Sequence, residues 1–290
     1  MLDAAAVIVL RRGRSRGYHV LLVRRRRAAS FMASACVFPG GGVDPGDVVG
    51  DLRSTAAREL LEEAGVLLAS PRLPATAVAA VRARQRGGAA LAELLAEHGG
   101  ALDLDALAPW AHWVTPSGPI GDDRAGLGAP PAKAPKRFSA RFFVAECPPE
   151  QLATCDDDET VEHLWVTPAE GVVRARELAL PPPQLRTLWE LMALPTVDDV
   201  LAAARARAGV IAPILPRVAA AIAAPAVALA SAPVAVPAAC LLLPWDPDYL
   251  QGGLGDALPL PTPPPPWAVG KSRFVLTDGA WHHEVAPPPA

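Results

Sequence analysis

Residues 35–66 fix more about this chain than any other stretch. ACVFPGGGVDPGD reads as a strand that runs into glycines and a proline-aspartate turn, and STAARELLEEAGVLL then takes up a helical period. At 3.6 residues per turn, Glu59, Glu62 and Glu63 stand at i, i+3 and i+4, so three carboxylates crowd one edge of one helix. Leu60, Leu61 and Val66, with Ala56, Ala57 and Ala64, supply an apolar face that anchors such a helix on a sheet. Ser54 or Thr55 is expected as its N-cap and Gly65 as its C-cap. The fold class implied is α/β.

Three clustered carboxylates are electrostatically unfavourable without a cation. Each like-charge pair at this spacing costs a few tenths of a kcal/mol on an isolated helix, and more when partly buried. A bound Mg²⁺ or Mn²⁺ is the natural compensation, and hard oxygen ligands favour those ions over zinc or copper. Arg58 lies four residues before Glu62 and can orient a glutamate. Gly40, Gly41 and Gly42 allow backbone turns closed to other residues and offer bare amides to a phosphate.

The string from Gly41 to Val66 resembles the Nudix box: G, five residues, E, seven residues, then REUxEExGU with U apolar. Arg58, Glu59, Leu60, Glu62, Glu63, Gly65 and Val66 match every fixed position of its second half. The first half departs twice. Asp47 stands where the family has Glu, and ten residues separate it from Arg58. Both changes fall in the loop before the helix and bear on Asp47 more than on the carboxylates. From about Asp3 to Leu194, segments such as LLVRRRR, SFMASACVFPGG, WAHWVTP and DDDETVEHLWVTPAE are similar to the Nudix subfamily of peroxisomal coenzyme A diphosphatases and their bacterial relatives. The coenzyme A signature of other coenzyme A-cleaving Nudix enzymes is absent in its usual form.

This resemblance implies a Nudix α/β/α sandwich with a mixed sheet. It also implies metal-dependent hydrolysis of a diphosphate linkage in a nucleoside diphosphate derivative, with coenzyme A or an acyl-coenzyme A expected first. An ADP-sugar or dinucleotide substrate, or a non-catalytic Nudix nucleotide-binding module, are the alternatives. Glu59, Glu62 and Glu63 would hold Mg²⁺ or Mn²⁺, Glu59 serving as ligand or base and Arg58 as their partner. The resemblance also implies an alternative base from a later loop, where Glu159 and Glu162 are the acidic positions. Arg24, Gly40, Gly41, Arg137 and Arg141 are the candidates for substrate phosphates, guanidinium groups binding phosphate bidentately. Trp113 and Phe138 could stack on a base, although a core role explains them more simply.

Around this centre the chain divides into residues 1–195 as the Nudix domain, 196–239 as an Ala/Pro-rich helical or linker segment, and 240–290 as a small C-terminal β appendage. Ala4–Leu10 and Tyr18–Val23 read as early strands. One or two helices between Ala75 and Leu107, broken near Arg86 to Gly88, form an insertion outside the sheet. Trp113–Pro116, Arg137–Glu146 and His163–Val166 read as further strands, and Thr167–Glu177 and Pro183–Leu194 as helices. In the tail Asp278-Gly279 marks a hairpin and PLPTPPPPW an extended linker.

Composition restricts partners. With 27 basic and 30 acidic side chains the formal charge is -3, which provides no field to collect nucleic acid or anionic membrane. Cys36, Cys147, Cys155 and Cys240 lie far apart without zinc spacing, and His112, His163, His282 and His283 form no metal pair. The expectation is a cytoplasmic protein with reduced thiols, in which a homodimer is possible. Val218–Leu243 carries no charge and approaches bilayer length, but Pro225, Pro233 and Pro237 and its few large side chains argue against a membrane span.

Overall fold

The apolar run Ala4–Leu10 becomes the middle of β1 (Leu2–Arg12), and every residue of that run is buried. A strand covered on both faces reads as continuous hydrophobicity rather than alternation. The computed structural model describes residues 1–13, 17–26, 34–117, 137–155, 160–219, 239–260 and 270–285. They fall into two compact units, one of residues 2–112 and 140–211, the other of residue 1, residues 113–139 and residues 212–290.

In the larger unit, β1 is followed by β2 (Tyr18–Arg25), β3 (Cys36–Val37), β4 (Gly40–Gly42), α1 (Leu52–Ala64), β5 (Ala69–Ser70), α2 (Ala75–Arg86), α3 (Leu91–Ala96) and β6 (Ala101–Leu102). Next come β7 (Ala108–Val114), β8 (Phe138–Glu146), β9 (Thr160–Val166), α4 (Pro168–Val173), α5 (Pro182–Leu191) and α6 (Val197–Arg207). The mixed sheet runs β7-β8-β1-β2-β3, with β4 added to β1 and β9 to β2. Register is set by antiparallel pairs such as Leu10↔Val20, Ala5↔Gly41 and Leu21↔Trp165.

Alternation assigns the two faces. Val7, Val9, Leu21 and Val23 pack in one cluster with Ala56, Ala57, Leu60 and Ala64 of α1. Tyr18 therefore points to the opposite face, where its hydroxyl donates to Leu191 O at 3.0 Å and ties β2 to the end of α5. The expected α/β/α sandwich is the architecture found. The insertion has its own cluster, in which Val78, Val81, Leu94 and Leu95 close around Leu61 and Leu67 on the outer side of α1. The Gln151 side chain substitutes for a neighbouring strand, accepting from Leu67 N at 2.7 Å and donating to Leu67 O at 3.0 Å.

The smaller unit contains β10 (Pro213–Ile214), β11 (Arg217–Ala219), β12 (Ala239–Leu242), α7 (Tyr249–Gly252), β13 (Gly253–Leu254), β14 (Ser272–Thr277) and β15 (Ala280–Val285). Its five-stranded sheet runs β13-β11-β12-β14-β15. The β14–β15 hairpin turns at Asp278 and Gly279, at φ 51° and 75°, a two-residue loop that needs left-handed backbone at both positions.

Three local expectations are corrected. α1 begins earlier than Ser54 or Thr55, because Asp51 accepts from Arg53 N at 3.0 Å as N-cap; Ser54 instead accepts from Val48 N at 2.9 Å. β7 begins at Ala108, where the buried ring of Trp110 draws the chain into the sheet. The segment after β9 is helical only to Val173, after a capping box between Thr167 and Glu170. Arg27, the loop Gly118–Pro135, Glu159, the PTPPPPW part of the proline linker, and residues 220–238 within the apolar run Val218–Leu243 lie outside the described residues. No described helix is long and apolar enough to cross a membrane.

One strand position carries a titration signature. Burial, with the positive charge of Arg141, lowers the His112 pKa from 6.5 to about 4. The unfolded chain therefore takes up the proton first as pH falls, so stability is full above pH 6.5 and drains away down to about pH 4. Urea denaturation across this window should show a loss in the native protein that is smaller in a His112→Gln variant.

Candidate functional site

The site is built on α1. Ala56, Ala57, Leu60, Leu61 and Ala64 are fully buried, which fixes the rotation of the helix and leaves the glutamates on its remaining edge. Gly65 ends it in left-handed backbone at φ 65°, its N–H bonding Leu61 O. A Cβ at Gly65 would also stand 2.5 Å from Thr154 Oγ1, so glycine is required twice over.

Arg58 is the hub. Its guanidinium donates to Asp47 at 2.8 and 3.1 Å, Glu59 Oε1 at 3.0 Å, Glu62 Oε2 at 2.9 Å and the Gly42 carbonyl at 2.7 Å. One cation thus joins the glycine loop to the carboxylate helix. Asp47 also accepts from Thr55 Oγ1 at 2.8 Å and Asp44 N at 2.9 Å. Burial pushes the Asp47 carboxyl up, but the Arg58, Asp44 and Thr55 hydrogen bonds together outweigh it and hold it below its ordinary value. For Arg58, burial disfavours the charge, and the Asp47 hydrogen bond with the charges of Glu59 and Glu62 reverses the effect and raises its pKa.

Glu63 takes a different path. Its side chain is buried, with Oε2 accepting from Gly40 N at 2.9 Å. Gly40 and Gly41 have little room for a side chain: a Cβ on Gly40 would lie 2.3 Å from Ala5 O, and one on Gly41 would lie 2.4 Å from Glu59 Oε1. The glycine loop is thus pressed against both β1 and the carboxylates. Among the described residues, no three His, Cys, Asp or Glu side chains converge as a ready metal cage. Arg58 is bonded between Glu59 and Glu62, and Glu63 leans toward Gly40. In donor chemistry, three carboxylates beside a side-chain-free glycine cradle fit a hard divalent ion.

Arg24 and Glu162, each expected from the sequence, face one another across β2 and β9 and form an ion pair at 2.7 Å. Arg141 lies on β8 near His112. Arg137 belongs to the smaller unit, where it donates to Thr115 O at 3.2 Å and approaches Asp256 at 3.4 Å. Sequence reading missed the anchoring of Arg58 by Asp47; it expected a helix where α2 lies but gave none of its residues a place at the site. Arg82 donates to the Glu62 carbonyl at 2.6 and 3.2 Å and to Thr154 Oγ1 at 2.7 Å, while Gln85 Nε2 donates to Glu62 Oε1. Arg82 and Gln85 at i and i+3 on an alanine-rich helix gave no signal, since that spacing is common on solvated faces.

Replacing Arg58 by Met should destabilise the protein by about 3 kcal/mol in chelator, since it strands the buried Asp47 and releases Glu59 and Glu62 to repel. Chemical denaturation measures it. Added Mn²⁺ should restore part of the loss.

Residues 1–86 match the model of the NUDIX domain. The chain is 32% identical over 188 residues to putative nudix hydrolase 7 of Caenorhabditis elegans, covering 62% of this chain and 57% of that one. It is 26% identical over 253 residues to the acyl-coenzyme A diphosphatase NUDT19 of Gallus gallus, covering 63% of each. The chain therefore spans less than two thirds of the length of these relatives. The crystal structure of a NUDIX hydrolase from Alicyclobacillus acidocaldarius aligns with a TM-score of 0.53 and 25% identity over 70% of this chain and 96% of that one. With the box residues gathered on α1 and the glycine loop laid against them, residues 1–86 are similar to the NUDIX domain, and the chain as a whole is similar to Nudix hydrolases.

Proposed function

We propose that this chain hydrolyses a diphosphate linkage in a nucleoside diphosphate derivative, with coenzyme A or an acyl-coenzyme A as substrate. The observation that carries the reading is that Arg58 bonds Glu59 and Glu62 on one helix edge while Glu63 of the same helix accepts from the glycine loop at Gly40. The likeness to the acyl-coenzyme A diphosphatase NUDT19 of Gallus gallus supports the choice of substrate.

Glu59, Glu62 and Glu63 would hold Mg²⁺ or Mn²⁺. Bound there, the ion supplies Lewis acidity to the phosphate oxygens and acidifies a water. The chain's own residues do the rest. Arg58 keeps Glu59 and Glu62 oriented, and Gly40 N fixes Glu63. The glycine loop brings bare backbone close to the phosphates. Arg24 lies at the edge of β2, paired with Glu162. A substrate phosphate competing for Arg24 would release the Glu162 carboxylate to take a proton, and Glu59 is the second candidate for that role.

Incubation with Mg²⁺ or Mn²⁺ and coenzyme A, acetyl-coenzyme A, NADH, ADP-ribose or nucleoside triphosphates tests the reading, with products identified by mass. Release of 3′,5′-ADP and a phosphopantetheine product is expected, with kcat/KM falling at least about a hundredfold in Glu62→Gln and Glu63→Gln. Cleavage of ADP-ribose or NADH alone would move the substrate to the ADP-sugar or dinucleotide class. Metal-dependent cleavage of none would leave a nucleotide-binding module.

A further inference from the structure

We propose that the inserted helix α2 is a working part of the carboxylate site, with Gln85 as a positioning residue that fixes the Glu62 carboxylate for a divalent ion. The inference rests on the reading that Glu62 binds the ion, and adds a part from outside the box.

Glu62 lies near the C-terminal end of α1, and its side chain is partly exposed. A glutamate there would sample several rotamers. Here each oxygen has its own donor: Oε2 receives Arg58 at 2.9 Å, and Oε1 receives Gln85 Nε2. A neutral amide orients a carboxylate without cancelling its charge, so the anion stays available to a cation. A second guanidinium would neutralise it. The backbone beneath is held by the same helix, because Arg82 donates twice to the Glu62 carbonyl. Arg82 and Gln85 stand at i and i+3, on one face of α2.

The helix is held in place for this task. Val78 and Val81 are buried in the cluster that contains Leu61, the residue before Glu62, so the packing that docks α2 also sets its distance from the carboxylate. Gln85 has a further peculiarity: its Oε1 is buried without a hydrogen-bond partner among the described residues. An unmet acceptor costs stability, and an apolar side chain would pack there without that cost. The amide is explained by what its nitrogen does for Glu62.

The test measures Mn²⁺ affinity by the EPR signal of the free ion, and Tm in EDTA, for the native chain, Gln85→Ala, Glu62→Gln and the double variant. Gln85→Ala should bind Mn²⁺ about tenfold more weakly with Tm in EDTA no lower than that of the native chain. The double variant should bind no more weakly than Glu62→Gln alone, because Gln85 acts through Glu62. Native-like affinity in Gln85→Ala, beside a weakened Glu62→Gln, would overturn the role of Gln85 and leave the metal site standing. Native-like affinity in Glu62→Gln would overturn both. A lowered Tm in EDTA, with losses that add in the double variant, would reduce Gln85 to a structural residue and overturn the proposal.

Discussion

The guanidinium of Arg58 is the interaction on which the rest of the site depends. It lies between Asp47, Glu59 and Glu62 and also takes the Gly42 carbonyl. Three carboxylates within reach of one another oppose their own ionisation, and a fixed cation with five donors relieves that opposition while imposing direction on each oxygen. The same contacts close the loop from Gly42 to Asp47 onto the helix, so electrostatic compensation and loop geometry have one cause. The departure of Asp47 from the family's usual glutamate finds its physical account here: the shorter acid, entered from a longer loop, still meets Arg58 with both oxygens.

Hydrophobic layering decides where that cation sits. α1 offers alanines and leucines to the sheet, and small alanines bring it close enough to β4 for Gly40 N to reach Glu63. The opposite face of the sheet is covered through α5, with Tyr18 joined to Leu191. Both faces of β1 are buried, and a one-residue slip would move Gly40 from beside Ala6 and exchange the residues that face α1 with those that face the opposite layer. The glycine loop is thereby fixed by the core rather than by its own sequence.

The insertion shows how a peripheral element gains a role. Its helices bury Val78, Val81, Leu94 and Leu95 on the outside of α1, a contact that would stabilise it without any catalytic purpose. The docking surface includes Leu61, however, and so carries polar residues of α2 to the far side of Glu62. Thr154 joins the arrangement through Arg82, linking the chain after β8 to the end of α1.

Much of this was legible in the residues. The periodicity of RELLEEAGV set the carboxylate edge and the buried face, Gly65 announced the helix end, and the apolar run Ala4–Leu10 announced a strand, because each depends on neighbours within a turn or a strand. The Asp278-Gly279 hairpin was readable for the same reason. The sequence did not determine that Asp47 would anchor Arg58, that Arg24 would meet Glu162, that Arg137 would belong to the other unit, or that Gln85 would face Glu62. Those pairings join residues distant along the chain, and spacing says nothing of them until the sheet register and the packing of α2 on Leu61 bring the atoms together.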